Sequence, residues 1–140
     1  MHQGGTYLAM EGPQFSTRAE SRVYRESWGA DVIGMTNMPE AKLAREAELC
    51  YACVAMVTDY DSWQPDHGAV EITDIIKILT GNADKARDMV QRLPTVLARP
   101  HSLCTEGCNH ALDHAILTPP EHRNGALVAK LDAVARRVLS

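Results

Sequence analysis

Four stretches of this sequence hold residue types that can do chemistry. The first is Glu11-Gly12-Pro13-Gln14-Phe15-Ser16-Thr17-Arg18-Ala19-Glu20-Ser21. Gly and Pro break the apolar run before it. Thr17 stands three residues ahead of Glu20, the spacing of a helix capping box. A helix start offers free N–H groups and a favourable dipole to an anion or a polar ligand. Phe15 on the turn can stack on a flat ligand, or it can be a staple that packs the helix entry. The second stretch is Gly34-Met35-Thr36-Asn37-Met38-Pro39-Glu40, between an apolar run and a helical pattern. Open α/β sheets gather ligands at the carboxyl ends of their strands. Thr36 offers a hydroxyl to a phosphate or a sugar, or serves as an ordinary helix cap.

The third stretch is Thr58-Asp59-Tyr60-Asp61, at the end of a continuous apolar run. Carboxylates two residues apart point the same way if the strand continues. Crowded like charges raise one pKa, which lets an acid hold a proton and donate it to a leaving nitrogen. A solvated loop with Asx turns is the plainer alternative. The fourth is sulfur and imidazole: Cys50-Tyr51-Ala52-Cys53, then Cys104 and Cys108 with His110 and His114. Cys and His are zinc ligand types. Cys50 and Cys53 fall on an expected strand, where an odd offset sends side chains to opposite faces. No glycine forms a metal knuckle there, and Cys108 and His110 are too close for zinc-finger spacing. Buried thiols and no metal are therefore the expectation, with a small zinc protein as the competing reading.

The elements that must position these residues alternate in type. Thr6–Met10 and Asp31–Met35 read as short strands, and Leu49–Thr58 reads as a buried one. A helix from Thr17 to about Trp28 should end at Gly29. Pro39 sits where helix starts prefer it, ahead of Ala41, Leu43, Ala44 and Ala47. Ile72 to about Leu93 is the longest helical pattern, with Pro94 ending or kinking it, and Leu127–Leu139 is a terminal helix. Alternating strands and helices give an α/β fold. Three short strands make a thin sheet, so the chain reads as part of a larger α/β unit.

Composition narrows the function. The chain has 140 residues, 45% hydrophobic and 23% charged, which suits one globular domain. A net charge of −4 and 5% aromatic residues speak against nucleic-acid binding. No run reaches the roughly 18 apolar residues of a membrane span, and the N-terminus has no signal-peptide pattern. A cytoplasmic protein is expected. Four cysteines are too few for a disulfide scaffold of this length.

Taken together, the first three stretches resemble the methylthioadenosine phosphorylases within the trimeric purine nucleoside phosphorylase family. The resemblance starts with Gly4-Gly5-Thr6-Tyr7 and the Glu11–Ser21 stretch. It continues through Trp28-Gly29-Ala30-Asp31-Val32-Ile33-Gly34-Met35-Thr36, Pro39-Glu40, Leu43-Ala44, Glu46-Ala47 and Ala55-Met56-Val57-Thr58-Asp59-Tyr60-Asp61. It implies a phosphorylase/hydrolase-like fold, with a mixed sheet flanked by helices. It also implies phosphorolysis of 5′-methylthioadenosine to adenine and 5-methylthioribose 1-phosphate, a purine and methionine salvage reaction of a pentosyltransferase. Inorganic phosphate is the co-substrate, and no cofactor or metal is implied.

By this resemblance Asp59 is the catalytic residue, bonding the purine N7 edge as the base departs, and Asp61 assists at the exocyclic amino group. A carboxylate accepts from a 6-amino group, so Asp59 favours adenine; Ser16, where the 6-oxopurine enzymes carry glutamate, points the same way. Phe15 stacks on base or sugar, Met35 underlies the ribose and Thr36 reaches phosphate. Ile72 and Ile75 line an apolar slot for the 5′ substituent, where burying a methylthio group is worth roughly 1 kcal/mol or more. Two departures stand out: Gly34, where some members have Asn, and an apparent extra residue at Glu26-Ser27, expected to bulge that helix.

The resemblance covers only the C-terminal half of the family's chain, residues 1–140 forming that half as a single domain. The N-terminal phosphate loop, an Arg-His phosphate pair and several strands lie outside it. This chain alone is therefore expected to bind nucleoside weakly and to have little phosphorolytic activity, since holding phosphate and nucleoside in attack geometry carries several kcal/mol of the barrier. Kinship implies a homotrimer. The alternatives are a non-catalytic interaction module, or a related phosphorylase with another 6-substituent or 5′ group.

Overall fold

A computed structural model describes residues 2–64, 72–100, 102 and 104–139. The chain forms two compact units. One comprises Met1–Thr36 and Val54–His101, the other Asn37–Cys53 and Ser102–Ser140.

The first unit begins as a strand–helix–strand motif. β1 (Tyr7–Ala9) and β2 (Val32–Gly34) pair in parallel, with Tyr7 opposite Val32 and Ala9 opposite Gly34. Parallel neighbours need a crossover, and here it contains α1 (Arg18–Arg22) and a π-helical turn at Val23–Ser27. The pairing extends at both ends. The Asp31 N–H donates to the Thr6 carbonyl at 2.9 Å, and the Met10 N–H donates to the Gly34 carbonyl at 2.9 Å. Thr6 N–H also donates to Asp31 Oδ2 at 2.7 Å.

The capping box is complete: the Glu20 N–H donates to Thr17 Oγ1 at 3.3 Å, and the Thr17 N–H donates to Glu20 Oε2 at 2.7 Å. These bonds hold the Glu20 carboxyl below its ordinary value, the backbone bond from Thr17 most strongly. The bulge expected at Glu26-Ser27 is the π-helical turn, the usual way a helix absorbs one extra residue. The turn is followed by Gly29 at φ 64°, the left-handed stop that suits glycine.

α3 (Ile72–Leu97) completes the described part of this unit and carries Pro94 without ending there. Its less exposed positions, Ile75, Asn82, Ala86 and Met89, recur at helical spacing and define one face. Asn82 Nδ2 donates to the Val57 carbonyl at 3.2 Å, tying α3 to the segment that leads into Asp59.

Leu49–Thr58, expected as a buried strand, is irregular backbone, and Leu49, Tyr51, Val54, Met56 and Val57 are exposed. A strand exists through its neighbours' hydrogen bonds, and among the described residues no strand lies beside this segment.

The second unit holds α2 (Glu40–Glu46), a 3₁₀ turn at Cys108–His110 and α4 (Gly125–Leu139). Asn124 Oδ1 caps α4, accepting from the N–H groups of Ala126 at 2.9 Å and Leu127 at 3.2 Å. Among the described residues of this unit, Ala135, inside α4, is the buried apolar one. Glu48 joins distant parts of the sequence. Its side chain is 11% exposed, accepts from Arg137 Nε at 2.7 Å and from the Leu112 N–H at 3.1 Å, and shares Arg137 with Asp113. The Arg137 bond holds the Glu48 carboxyl down at about 2.

Candidate functional site

The register of the sheet creates the site. Ala9 pairs with Gly34, so the chain leaves β1 and β2 side by side at their carboxyl ends. The turn after β1 carries Phe15 and Ser16, and the turn after β2 carries Met35 and Thr36. This is where an open α/β sheet presents ligand-binding groups.

Phe15 is 86% exposed. A staple would be covered by the helix it packs, so that reading fails and the ring remains available to stack. Ser16, the next residue, is buried, with Oγ donating to Met10 Sδ at 3.6 Å. Gly12, at φ 76°, lets the turn pass close to Met35: a Cβ there would lie 3.0 Å from Met35 Sδ. Met35 is therefore lodged against the Phe15-bearing turn. Gly34 serves a second close approach. A Cβ at this position would lie 2.1 Å from the Tyr7 hydroxyl. Tyr7 lies across the glycine and shares a 2.9 Å hydrogen bond with Thr36 Oγ1. That bond fixes the hydroxyl expected to meet phosphate.

The carboxylates lie on a loop tied to the same turn. Ser62 Oγ donates to the Ser16 carbonyl at 3.2 Å, holding the segment just past Asp61 against the aromatic turn. Asp59 Oδ1 accepts from Thr58 Oγ1 at 2.6 Å, and Asp61 Oδ1 accepts from the Ser62 N–H at 2.8 Å. The chain bends at Asp59 rather than continuing extended, so strand alternation does not align the two carboxylates. Arg25 stacks on Trp63 with Cζ 3.7 Å from the ring centroid, and Trp63 meets Tyr60 edge-on at 5.8 Å. These contacts brace the same loop from the π-helical turn. Ile72 and Ile75 open α3; Ile72 is 74% exposed, whereas Ile75 is half-buried. Ile75 shares a face with Asn82, two turns on, which anchors α3 beside the Asp59 segment.

The structure thus gathers Phe15, Ser16, Met35 and Thr36 at one sheet end and ties the Asp59–Asp61 segment to them. It links α3 to that segment through Asn82, about seven residues and roughly 10 Å of helix from Ile75. Tyr7, Thr58, Ser62 and Asn82 were not picked out as site residues. Each acts through a contact over distance or a local rotamer, for which a single sequence carries no periodic signal.

A sequence profile described as the phosphorylase superfamily matches residues 1–94. The chain belongs to the phosphorylase superfamily. Within the superfamily it is similar to curated S-methyl-5′-thioadenosine phosphorylases. That of Cereibacter sphaeroides is 66% identical over 139 residues, and that of Bradyrhizobium diazoefficiens is 63% identical over 137. The matches cover 99% and 98% of this chain but 48% and 47% of those proteins. The chain spans about half the length of these relatives. Among solved structures, a methylthioadenosine phosphorylase from an antarctic soil metagenomic library superposes with a TM-score of 0.78 at 45% identity, covering 93% of this chain and 44% of that one. The Schistosoma mansoni methylthioadenosine phosphorylase in complex with adenine gives 0.61 at 30% identity, covering 78% and 37%. The α/β class of this superfamily member, and the phosphorylase fold expected of it, are what the structure and these likenesses show.

Proposed function

We propose that this chain carries the base- and sugar-binding half of a methylthioadenosine phosphorolysis site. One observation carries the reading: two neighbouring parallel strands deliver an exposed aromatic and a braced hydroxyl to one place, and Ser62 fastens an acidic loop to it. The similar proteins named as methylthioadenosine phosphorylases, one of them in complex with adenine, support the choice of ligand.

In this reading phosphate attacks the anomeric carbon while adenine leaves, and the sugar passes through an oxocarbenium-like state. Phe15 stacks on the base or sugar, and Ser16 supports that turn. Asp59 shares with N7 the proton that the purine takes up as it departs, and Asp61 accepts from the 6-amino group. Met35 underlies the ribose. Thr36, oriented by Tyr7, presents its hydroxyl to phosphate. Ile72 and Ile75 form the apolar slot for the methylthio group. Burial of that group replaces water contact with side-chain contact and disfavours a 5′-hydroxyl.

Phosphate needs more than one hydroxyl, and the relatives are about twice the length this chain spans. The rest of the fold, in the same polypeptide or another, supplies the remaining phosphate groups and covers exposed Val54, Met56 and Val57. Assembly as a homotrimer and a cytoplasmic setting belong to the same reading. It involves no nucleic acid and no membrane, and none of the described helices is long and apolar enough to cross one. The reaction uses inorganic phosphate and no organic cofactor.

Thermal melting with added ligand tests the proposal. Methylthioadenosine or adenine at about 100 times Kd should stabilise the chain by roughly 2.7 kcal/mol, and inosine at the same concentration should not. Equal melting with and without methylthioadenosine would overturn it and favour an interaction module.

A further inference from the structure

Outside the nucleoside site, the second unit brings together three sulfurs that the reaction does not use. Cys50, Cys104 and Cys108 place their Sγ atoms within 4.8 Å of one another. More than fifty residues of sequence separate the first from the other two. The objection to a metal at this sequence was that Cys50 and Cys53 would sit on opposite faces of a strand. No strand forms there, and the group recruits Cys50 without Cys53.

The turn Cys104-Thr105-Glu106-Gly107-Cys108 has the form of a thiolate cradle. Gly107 takes φ 66°, a left-handed conformation that reverses the chain. Its N–H donates to the Cys104 carbonyl at 3.4 Å. The reversal brings the Cys108 sulfur back to that of Cys104, within 4.8 Å. Arg45 Nη1 lies 3.7 Å from Cys108 Sγ and sets a positive charge beside the group.

We propose that Cys50, Cys104 and Cys108 form a binding site for a soft thiophilic cation of the zinc type, with solvent as the fourth ligand. Zn–S bonds of about 2.3 Å require sulfurs roughly 3.8 Å apart in a tetrahedron. Closing the present triangle by at most about 1 Å is within the reach of three single-bond side-chain rotations. Thiolates select zinc-type ions over calcium or magnesium. Binding releases the remaining thiol protons to the buffer and clamps the segment after α2 to the turn before α4.

The test is titration of the reduced, chelator-treated chain with zinc, and with cobalt as a spectroscopic stand-in. The expected result is uptake of one ion per chain, with the intense thiolate-to-cobalt charge-transfer band and visible bands of a tetrahedral ion. Cys50→Ser, Cys104→Ser and Cys108→Ser should each weaken uptake by at least the roughly 10–100-fold typical of losing an outer-shell partner. Cys53→Ser should leave it unchanged. An unfolded chain would use the Cys50–Cys53 pair indiscriminately, so a Cys53→Ser variant as impaired as the others overturns the proposal. So does absence of uptake by the reduced chain, or a group that isolates as a disulfide resistant to reductant.

Discussion

Gly34→Ala probes the joint on which the site rests. The new Cβ would lie 2.1 Å from the Tyr7 hydroxyl oxygen and 3.0 Å from Cζ, far inside van der Waals contact. The backbone at Gly34 is strand in register with β1 and cannot retreat without breaking the Ala9 pairing. The Tyr7 ring must therefore swing aside and give up its 2.9 Å bond to Thr36. Losing that bond costs about 0.5–1.5 kcal/mol, and overpacking costs typically 1–3 kcal/mol. The hydroxyl is the far end of a movable side chain, so the sum should fall near the low end, about 1–2 kcal/mol. Urea titration at constant m-value measures it. In a Tyr7→Phe background the nearest atom is gone and the bond is already absent, so Gly34→Ala should cost at least ~0.5 kcal/mol less, a coupling that a double-mutant cycle reads directly. A Gly34→Ala penalty identical in both backgrounds, or no penalty in either, would refute the close approach.

Glu48 sets a pH dependence. Its folded pKa of about 2 lies below the ordinary 4.5, chiefly through the Arg137 bond, so its contribution is complete above about 4.5 and fades as pH falls toward 2. Urea midpoints measured down that range should drop, and Arg137→Met should flatten the drop; an unchanged profile in the variant would contradict the assignment. Thr17→Ala removes the side-chain half of the α1 capping box, the acceptor for the Glu20 N–H, and should cost about 1 kcal/mol by the same assay, whereas a neutral effect would show that α1 does not depend on its cap.

Local signals made much of this molecule legible in its sequence. Thr17 and Glu20 announced a cap because capping needs only residues three apart, and Gly29 announced a stop because left-handed backbone favours glycine. The extra residue at Glu26-Ser27 became a π-helical turn for the same local reason. Leu49–Thr58 misled because composition records a preference for burial, whereas a strand requires a neighbour. The motif order that resembled the methylthioadenosine phosphorylases pointed to the turns of the candidate site, and the sheet register sets the strand ends that lead into them side by side. Hidden from the sequence were the contacts made across the fold: Tyr7 over Gly34, Ser62 on Ser16, Asn82 on Val57, and Cys50 beside Cys104 and Cys108. None has a spacing that one sequence can display.

Calorimetric titration of methylthioadenosine into the chain and its Asp59→Ala variant tests the central claim most directly, because the fold leaves this side chain at the loop held against the aromatic turn. Losing the Asp59 bond costs about 0.5–1.5 kcal/mol, so the expected result is roughly 2–10-fold weaker binding of methylthioadenosine by the variant, with an unchanged melting temperature in the absence of ligand. Equal affinity of the two proteins for methylthioadenosine would contradict the placement of Asp59 at the purine.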